Sequence, residues 1–365
     1  MRIALITREF NGVMGGLERQ IVTISKLLIK NGHEVFIVSL DVIDGTTYFT
    51  DPSQQITVIG IGVSSPKVRA NTLTRMRRQI KLYRILRKQE IDYCFAFMIG
   101  SLYVARMPTL LARIPLVLCE RNSPKMYSFL SSQKYRSLRY LSMLTARNVV
   151  VQFENYIGKY PFYLRERMRT IPNSVPRLPR SLDENRNQLI FTFAGRLSFQ
   201  KQVIRLIFGF SQYCANGGTA NLEIIGTGEQ SKQILEVIKV LKLSERVILR
   251  DPNPDITLVL KNSNLLCLFS LWEGFPNVLA EALAMGIPGV GFKECDGVNE
   301  LLLDEFNGVL VEDRGDDLCI AFGLAKAEEL IKSNLLTSVN CISSVSAYSE
   351  DLVAVKWQEL LNEYT

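Results

Sequence analysis

Twice along this chain, short apolar stretches alternate with amphipathic helical patterns, and one proline-rich, polar interruption separates the two runs. The first run opens with apolar residues 3–7, a glycine-bearing loop, a helical pattern over 17–30 stopped by Asn31-Gly32, and a second apolar stretch at 34–40. That succession of strand, helix and strand requires a parallel sheet with right-handed crossovers. Further strands are expected at 56–61, 93–97, 116–119 and 149–153. The pattern stops at 170–187, where 171–179 carry three prolines and 183–188 are wholly polar, the composition of a linker. It restarts at 189–194, with strands expected at 222–225, 247–249, 265–269, 289–292 and 308–311 and helices near 203–213, 230–241 and 277–285. The expected class is α/β: a Rossmann-like domain over 1–175, a second over 189–345, and a closing helix over 346–365. Sheets of this kind take ligands at the carboxyl ends of their strands, so function is sought in the loops that follow strands, with a two-part substrate lying between the domains.

With 365 residues, 47% of them hydrophobic and 22% charged, the chain can build two cores and is neither disordered nor collagenous. A net charge of +7 hints at an anionic partner, but it hides a split. Residues 1–180 hold 28 basic and 11 acidic side chains, whereas residues 181–365 hold 15 and 25. The seven cysteines stand singly, mostly in apolar runs such as 265–269, which predicts reduced core thiols and a cytosolic compartment. No Cys-x-x-Cys pair and a lone histidine leave little from which to build a metal centre, and none is expected. Arg2 and Arg8 bracket the first apolar stretch, which therefore reads as a strand and not as a signal peptide. No apolar run reaches the roughly 18 residues of a membrane-spanning helix, so membrane contact is expected to be peripheral.

Four loops after strands are rich in glycine or charge. Gly15 and Gly16 precede a helix with Glu18 and Arg19 in its first turn; they either let backbone amides approach an anion or simply make a tight turn. Arg196 leaves a strand and Lys201 enters a helix, a spacing that lets both cations converge on one diphosphate. Gly226 and Gly228 suit either close backbone approach to a ligand or an ordinary turn. The fourth loop runs from Ser270 through Trp272, Glu273, Gly274, Phe275, Pro276, Asn277 and Val278 to Glu281. Its helix offers unpaired N-terminal amides to a diphosphate, one glutamate can face a transferring group, and the other can accept hydrogen bonds from a ribose diol.

In these residues the chain resembles the retaining GT-B glycosyltransferases of family 4. The likeness rests on Gly15-Gly16-Leu17-Glu18-Arg19, on Gly195-Arg196-Leu197 followed by Lys201, and on Glu273 and Glu281 within Glu-Gly-Phe-Pro-Asn-Val-Leu-x-Glu-Ala. It continues through Gly297-Val298-Asn299-Glu300-Leu301 and Asn307-Gly308 and so covers nearly the whole chain. The resemblance implies that Arg196 and Lys201 bind the donor diphosphate, that Glu281 holds the ribose, and that Glu273 lies by the anomeric centre. The backbone from Phe275 through Pro276 to Asn277 and Val278, with amides at all but the proline, would complete a donor site that Gly15, Gly16, Gly226 and Gly228 also approach. No cofactor or metal is implied, and the helix at 346–365 would return to the N-domain.

Two departures stand out. Lys201 is followed by Gln202 where many members have glycine, and the acceptor-side histidine of many members is missing from the segment Val117 to Pro124. His33, between helix and strand, reads as structural. Glu120-Arg121-Asn122 resembles members that build bacterial capsule or O-antigen units from UDP-linked galactose or N-acetylhexosamine. With Glu18, these three are assigned to the acceptor side. The implied activity is transfer of a hexose or N-acetylhexosamine from a nucleotide diphosphate sugar to a lipid-linked saccharide on polyprenyl pyrophosphate, at the inner face of the cytoplasmic membrane. A nucleotide-sugar epimerase and a non-catalytic nucleotide-sugar-binding protein are the alternatives.

Residues 67–88 hold nine Lys or Arg and no acid, interleaved with Leu73, Met76, Ile80 and Tyr83 at helical spacing. Two readings stand, a surface helix on anionic lipid or a core-facing helix with a solvated basic side. Nucleic acid is not the expected partner, since no recognised nucleic-acid module accompanies the charge.

Overall fold

The computed structural model describes residues 1–10, 15–40, 56–63, 71–129, 136–179 and 188–363. They form two compact units: Met1–Ser174 with Glu350–Thr365, and Val175–Ser349. The polar stretch 180–187 lies outside the described residues.

In unit 1 the order is β1 (Arg2–Thr7), α1 (Gly16–Lys30), β2 (Glu34–Ser39), β3 (Thr57–Gly60), α2 (Thr72–Lys88), β4 (Tyr93–Phe97), α3 (Met98–Ala112) and β5 (Leu116–Cys119). Then follow α4 (Met126–Phe129), α5 (Arg136–Met143), β6 (Asn148–Val151), α6 (Glu154–Ile157), α7 (Phe162–Arg165) and β7 (Met168–Thr170). The sheet runs β3-β2-β1-β4-β5-β6-β7, parallel throughout. Its central strands are apolar on both faces, as a sheet covered on both sides demands. The strand order reverses between β1 and β4, which makes the crevice at their carboxyl ends the topological switch point.

Unit 2 repeats the plan with β8 (Ile190–Ala194), α8 (Val203–Ala215), β9 (Asn221–Ile225), α9 (Ser231–Val240), β10 (Val247–Arg250), α10 (Ile256–Leu260) and β11 (Leu265–Leu268). It ends with α11 (Asn277–Ala284), β12 (Gly289–Phe292), α12 (Val298–Leu301), β13 (Gly308–Val311), α13 (Leu318–Lys332) and α14 (Ser338–Ser344). Here the order is β10-β9-β8-β11-β12-β13, with the reversal between β8 and β11.

The last helix, α15 (Glu350–Asn362), belongs to unit 1. Trp357, Leu360 and Leu361 enter one core with α1 and β1, β2, β4 and β5, and Trp357 meets Phe95 edge-on at 5.2 Å. His33 Nε2 lies 3.1 Å from Gln358 Oε1 on α15, a contact that ties the turn after α1 to this helix. All seven cysteines are free; burial raises the pKa of Cys94 and Cys267 and pushes the Cys119 thiol up to about 12.

Candidate active site

The switch point of unit 2 gathers the loops that follow β8 and β11. Two backbone-directed bonds stitch them: the Leu271 amide donates to the Gln200 carbonyl (2.9 Å), and Gln200 Nε2 donates to the Trp272 carbonyl (2.6 Å). This brings Lys201 Nζ to 2.6 Å from Glu273 Oε1, both side chains largely shielded from solvent. Arg196, in the same loop, is exposed and makes no hydrogen bond or ion pair among the described residues. One cation is therefore held against a carboxylate, while the other faces solvent. From behind, the Glu273 amide donates to the Asp296 carbonyl (3.0 Å), and a Cβ at Gly297 would come within 2.9 Å of the Gly274 carbonyl oxygen.

Gly226 and Gly228 are small for a reason the chain order does not display. A Cβ at Gly226 would stand 1.9 Å from the Gly195 carbonyl oxygen, and one at Gly228 would stand 2.2 Å from that of Leu197. The loops after β8 and β9 press backbone to backbone, joined by Leu197 N to Thr227 O (3.0 Å) and Gln230 N to Leu197 O (3.1 Å). The close approach expected of these glycines is thus to the neighbouring loop. Gln202 adopts φ 52°, ψ 34°, the left-handed region that favours glycine.

Beyond Glu273 the chain turns through Gly274, Phe275 and Pro276 into α11. Phe275 packs edge-on against Tyr348 (5.4 Å), and the bonds inside the turn begin with Leu279 and Ala280, whose amides both reach the Pro276 carbonyl. Asn277 and Val278 thus stand at the electropositive end of the helix, and Glu281 is buried on its second turn. A cavity of about 290 Å³ opens at the carboxyl ends of β9 and β10 in the same unit. Ile225, Leu258 and Val259 give it apolar walls, and Arg250, Asn253 and Asn262 contribute polar groups.

Unit 1 treats its charged motif differently. Glu120 is buried: its carboxylate accepts the Tyr127 hydroxyl (2.8 Å) and the amides of Arg121 and Asn122. Burial raises its pKa against the opposing pull of those hydrogen bonds. Arg121 also points inward, donating from Nη1 to Ile171 O (3.1 Å) and Asn173 Oδ1 (3.2 Å), with its guanidinium over the rings of Phe97 and Trp357. Both residues hold the end of β5 in place and do not present charge to solvent. Of the three, only Asn122 is part-exposed, its Nδ2 lying 3.6 Å from Met98 Sδ. Gly15 is the N-cap of α1, Gly16 opens the helix, and Glu18 is buried in its first turn; residues 11–14 of this loop lie outside the described residues.

A model of group 1 glycosyl transferases matches residues 174–334, and a model of glycosyltransferase family 4 matches residues 14–177, so that the two together span both units. The chain is a family 4 glycosyltransferase. It is 24% identical over 367 residues to the amylovoran biosynthesis glycosyltransferase AmsD of Erwinia amylovora, covering 95% of this chain and 96% of that one. It is also 24% identical over 377 residues to the Campylobacter jejuni GalNAc-alpha-(1->4)-GalNAc-alpha-(1->3)-diNAcBac-PP-undecaprenol alpha-1,4-N-acetyl-D-galactosaminyltransferase, covering 100% and 99% of the two chains. Among solved structures, Anabaena Alr3699/HepE in complex with UDP and glucose shares the GT-B fold across all of both chains, with a TM-score of 0.82 at 20% identity. The two family matches thus make the chain a glycosyltransferase, and the Campylobacter relative is one whose name specifies an undecaprenol-diphosphate-linked acceptor.

Two features of this glycosyltransferase are not apparent in its motifs. Met98 has φ 66°, a strained value for a methionine, directly after β4 and therefore at the switch point of unit 1. Nothing in the local sequence marks it, since strain at one residue is imposed by the surrounding fold. The Lys201–Glu273 pair is likewise tertiary, joining residues that lie 72 positions apart.

Proposed function

We propose that the chain transfers a hexose or N-acetylhexosamine from a UDP-linked donor to a saccharide on polyprenyl pyrophosphate, with retention of anomeric configuration and without a metal ion. The products would serve O-antigen or capsule assembly at the inner face of the cytoplasmic membrane. One observation carries this reading: exposed Arg196 and the shielded Lys201–Glu273 pair stand together at the switch point of unit 2, beside the N-terminus of α11.

In this mechanism the bond between the anomeric carbon and the diphosphate oxygen breaks, and a bond to the acceptor oxygen forms on the same face of the sugar. The acceptor proton passes to the departing diphosphate. Arg196, Lys201 and the α11 amides stabilise the charge that builds there, with each preorganised donor contributing about 3–4 kcal/mol. Glu281 holds the ribose, and the cavity at β9 and β10 takes the base. The two cations and the helix terminus occupy the electrostatic role that a divalent ion would otherwise fill. Gly15 and Gly16 approach the donor, and on the acceptor side Glu18 on α1 joins Asn122 and the strained Met98.

The test is incubation with UDP-galactose, UDP-N-acetylglucosamine and UDP-N-acetylgalactosamine, each with extracted lipid-linked saccharides, in the presence of EDTA. Transfer with an α-linked product is expected. Isomerised free donor would indicate an epimerase, binding alone a non-catalytic protein, and full turnover by Arg196→Ala would discard the mechanism.

A further inference from the structure

Helices α2, α3 and α5 lie side by side in unit 1. Gln79 Nε2 on α2 donates to the Tyr103 carbonyl on α3 (3.4 Å), and Ser142 Oγ on α5 donates to Tyr103 Oη (3.5 Å). Right-handed crossovers put α2 and α3 on the sheet face opposite α1, away from the core that α1 shares with α15. The three helices carry ten Lys or Arg and no Asp or Glu.

The outer surface of these helices is both basic and apolar. On α2 the inward residues are Arg78, Leu82 and Leu86, which leaves Leu73 55% exposed, Met76 53% and Ile80 47%. The apolar stripe of this helix therefore faces solvent, flanked by exposed Arg75, Arg77, Arg84 and Arg87. On α3, Leu110 and Leu111 are 68% and 66% exposed; on α5, Leu138 is 62% exposed. Single exposed leucines are ordinary, but apolar side chains on three adjoining helices, embedded in charge of one sign, mark an interaction surface.

We infer that the α2–α3–α5 face docks on an anionic lipid bilayer, its apolar side chains entering the interface and its arginines lying at the level of the lipid phosphates. The mixture selects this occupant. A nucleic-acid backbone would answer the cations but offers nothing to Leu73, Met76, Ile80, Leu110 and Leu111, whereas a bilayer surface answers both. No helix among the described residues is long and apolar enough to cross a membrane, so the contact is one of lying on the surface. The N-terminus of α2 stands at the carboxyl ends of the strands, and the inward Arg78 feels the charge of Arg8, just past the end of β1. The docking face thus adjoins the switch point of unit 1. This inference deepens the proposed function, because an acceptor on polyprenyl pyrophosphate is presented at such a surface.

The full chain is floated with vesicles of phosphatidylcholine alone, or with about a third phosphatidylglycerol, at low and high salt. Binding to the anionic vesicles is expected, weakened by salt and reduced about tenfold or more both in Arg75→Gln/Arg77→Gln/Arg84→Gln/Arg87→Gln and in Leu73→Ser/Met76→Ser/Ile80→Ser. All seven positions are solvent-exposed, and circular dichroism checks that the variants are folded. Neutralising Lys232, Lys239, Lys261 and Arg314 in unit 2 should leave vesicle binding unchanged. Wild-type indifference to lipid charge, undiminished binding by both α2 variants, or binding of RNA in place of vesicles would overturn the inference. Anionic-vesicle binding that depends on α2, without transfer to any lipid-linked saccharide, would sustain the docking face while removing the acceptor assigned above.

Discussion

The strand ends of the two units hold charge in opposite ways. In unit 2 the charged residues after β8 and β11 lie on loops stitched backbone to backbone, with Lys201 paired to Glu273 and Arg196 left to solvent. In unit 1 the charged residues after β5 are turned inward, Glu120 onto Tyr127 and Arg121 onto Ile171 and Asn173. Similar sequence, a charged cluster at the end of a parallel strand, thus does two jobs. Where the loop is braced from behind by neighbouring backbone, its charged side chains pair across the loops or face solvent. After β5, where the Glu120 amide also reaches the Val150 carbonyl, the charged side chains turn inward and add to the bracing.

This contrast predicts that charge removal in unit 2 affects turnover, and in unit 1 stability. The largest effect is expected at Lys201→Ala: kcat/KM falling about a thousandfold, with a stability loss of about 1–3 kcal/mol because the buried Glu273 carboxylate loses the Lys201 ammonium. Arg196→Ala should lower kcat/KM about a hundredfold at unchanged Tm, and equal thermal losses in the two variants would break the distinction. Next comes Arg121→Ala, where thermal denaturation should show a loss of about 3 kcal/mol with donor affinity, read by titration calorimetry, unmoved. Gly226→Ala should lose about 2 kcal/mol and raise the donor KM, since its methyl would meet the Gly195 carbonyl and part the two loops.

A smaller effect is expected in the pH dependence of unit 1. The Glu120 carboxyl titrates near 4.5 in the unfolded chain and higher in the folded one, chiefly through burial. Between the two values the folded chain keeps a proton that the unfolded chain has lost, so stability falls as pH rises through that window and levels off above it. Urea denaturation at a series of pH values should show this slope in the wild type and not in Glu120→Gln. Smallest of all, Gln202→Gly should raise stability by about 1 kcal/mol by relieving a left-handed backbone, and a loss instead would mean that the Gln202 side chain matters more than its φ.

Periodicity alone locates most of the strands, because a parallel sheet buried on both faces leaves apolar runs that little else explains. Arg196, Lys201, Glu273 and Glu281 stand out because glycine, proline and charge concentrate where strands pass into helices. What sequence cannot display is direction. Glu120 and Arg121 look as available as Arg196 on paper, yet whether a side chain points to solvent depends on partners such as Asn173 and Trp357, distant in the chain. The same holds for Leu73, Met76 and Ile80, whose helical spacing marks an apolar stripe without saying that Leu82 and Leu86 are the residues facing inward.

The return of α15 to unit 1 also makes the two units unequally tolerant of a shortened chain. Unit 2 is complete once Ser349 has been added, whereas the core of unit 1 still lacks Trp357, Leu360 and Leu361 at that moment. A chain that ends at Ser349 therefore holds every residue of unit 2, while the β1–β4 surface of unit 1 stays uncovered where Trp357, Leu360 and Leu361 would pack. Removal of residues 350–365 is thus expected to unfold the unit whose residues come first in the chain and to spare the one that comes second.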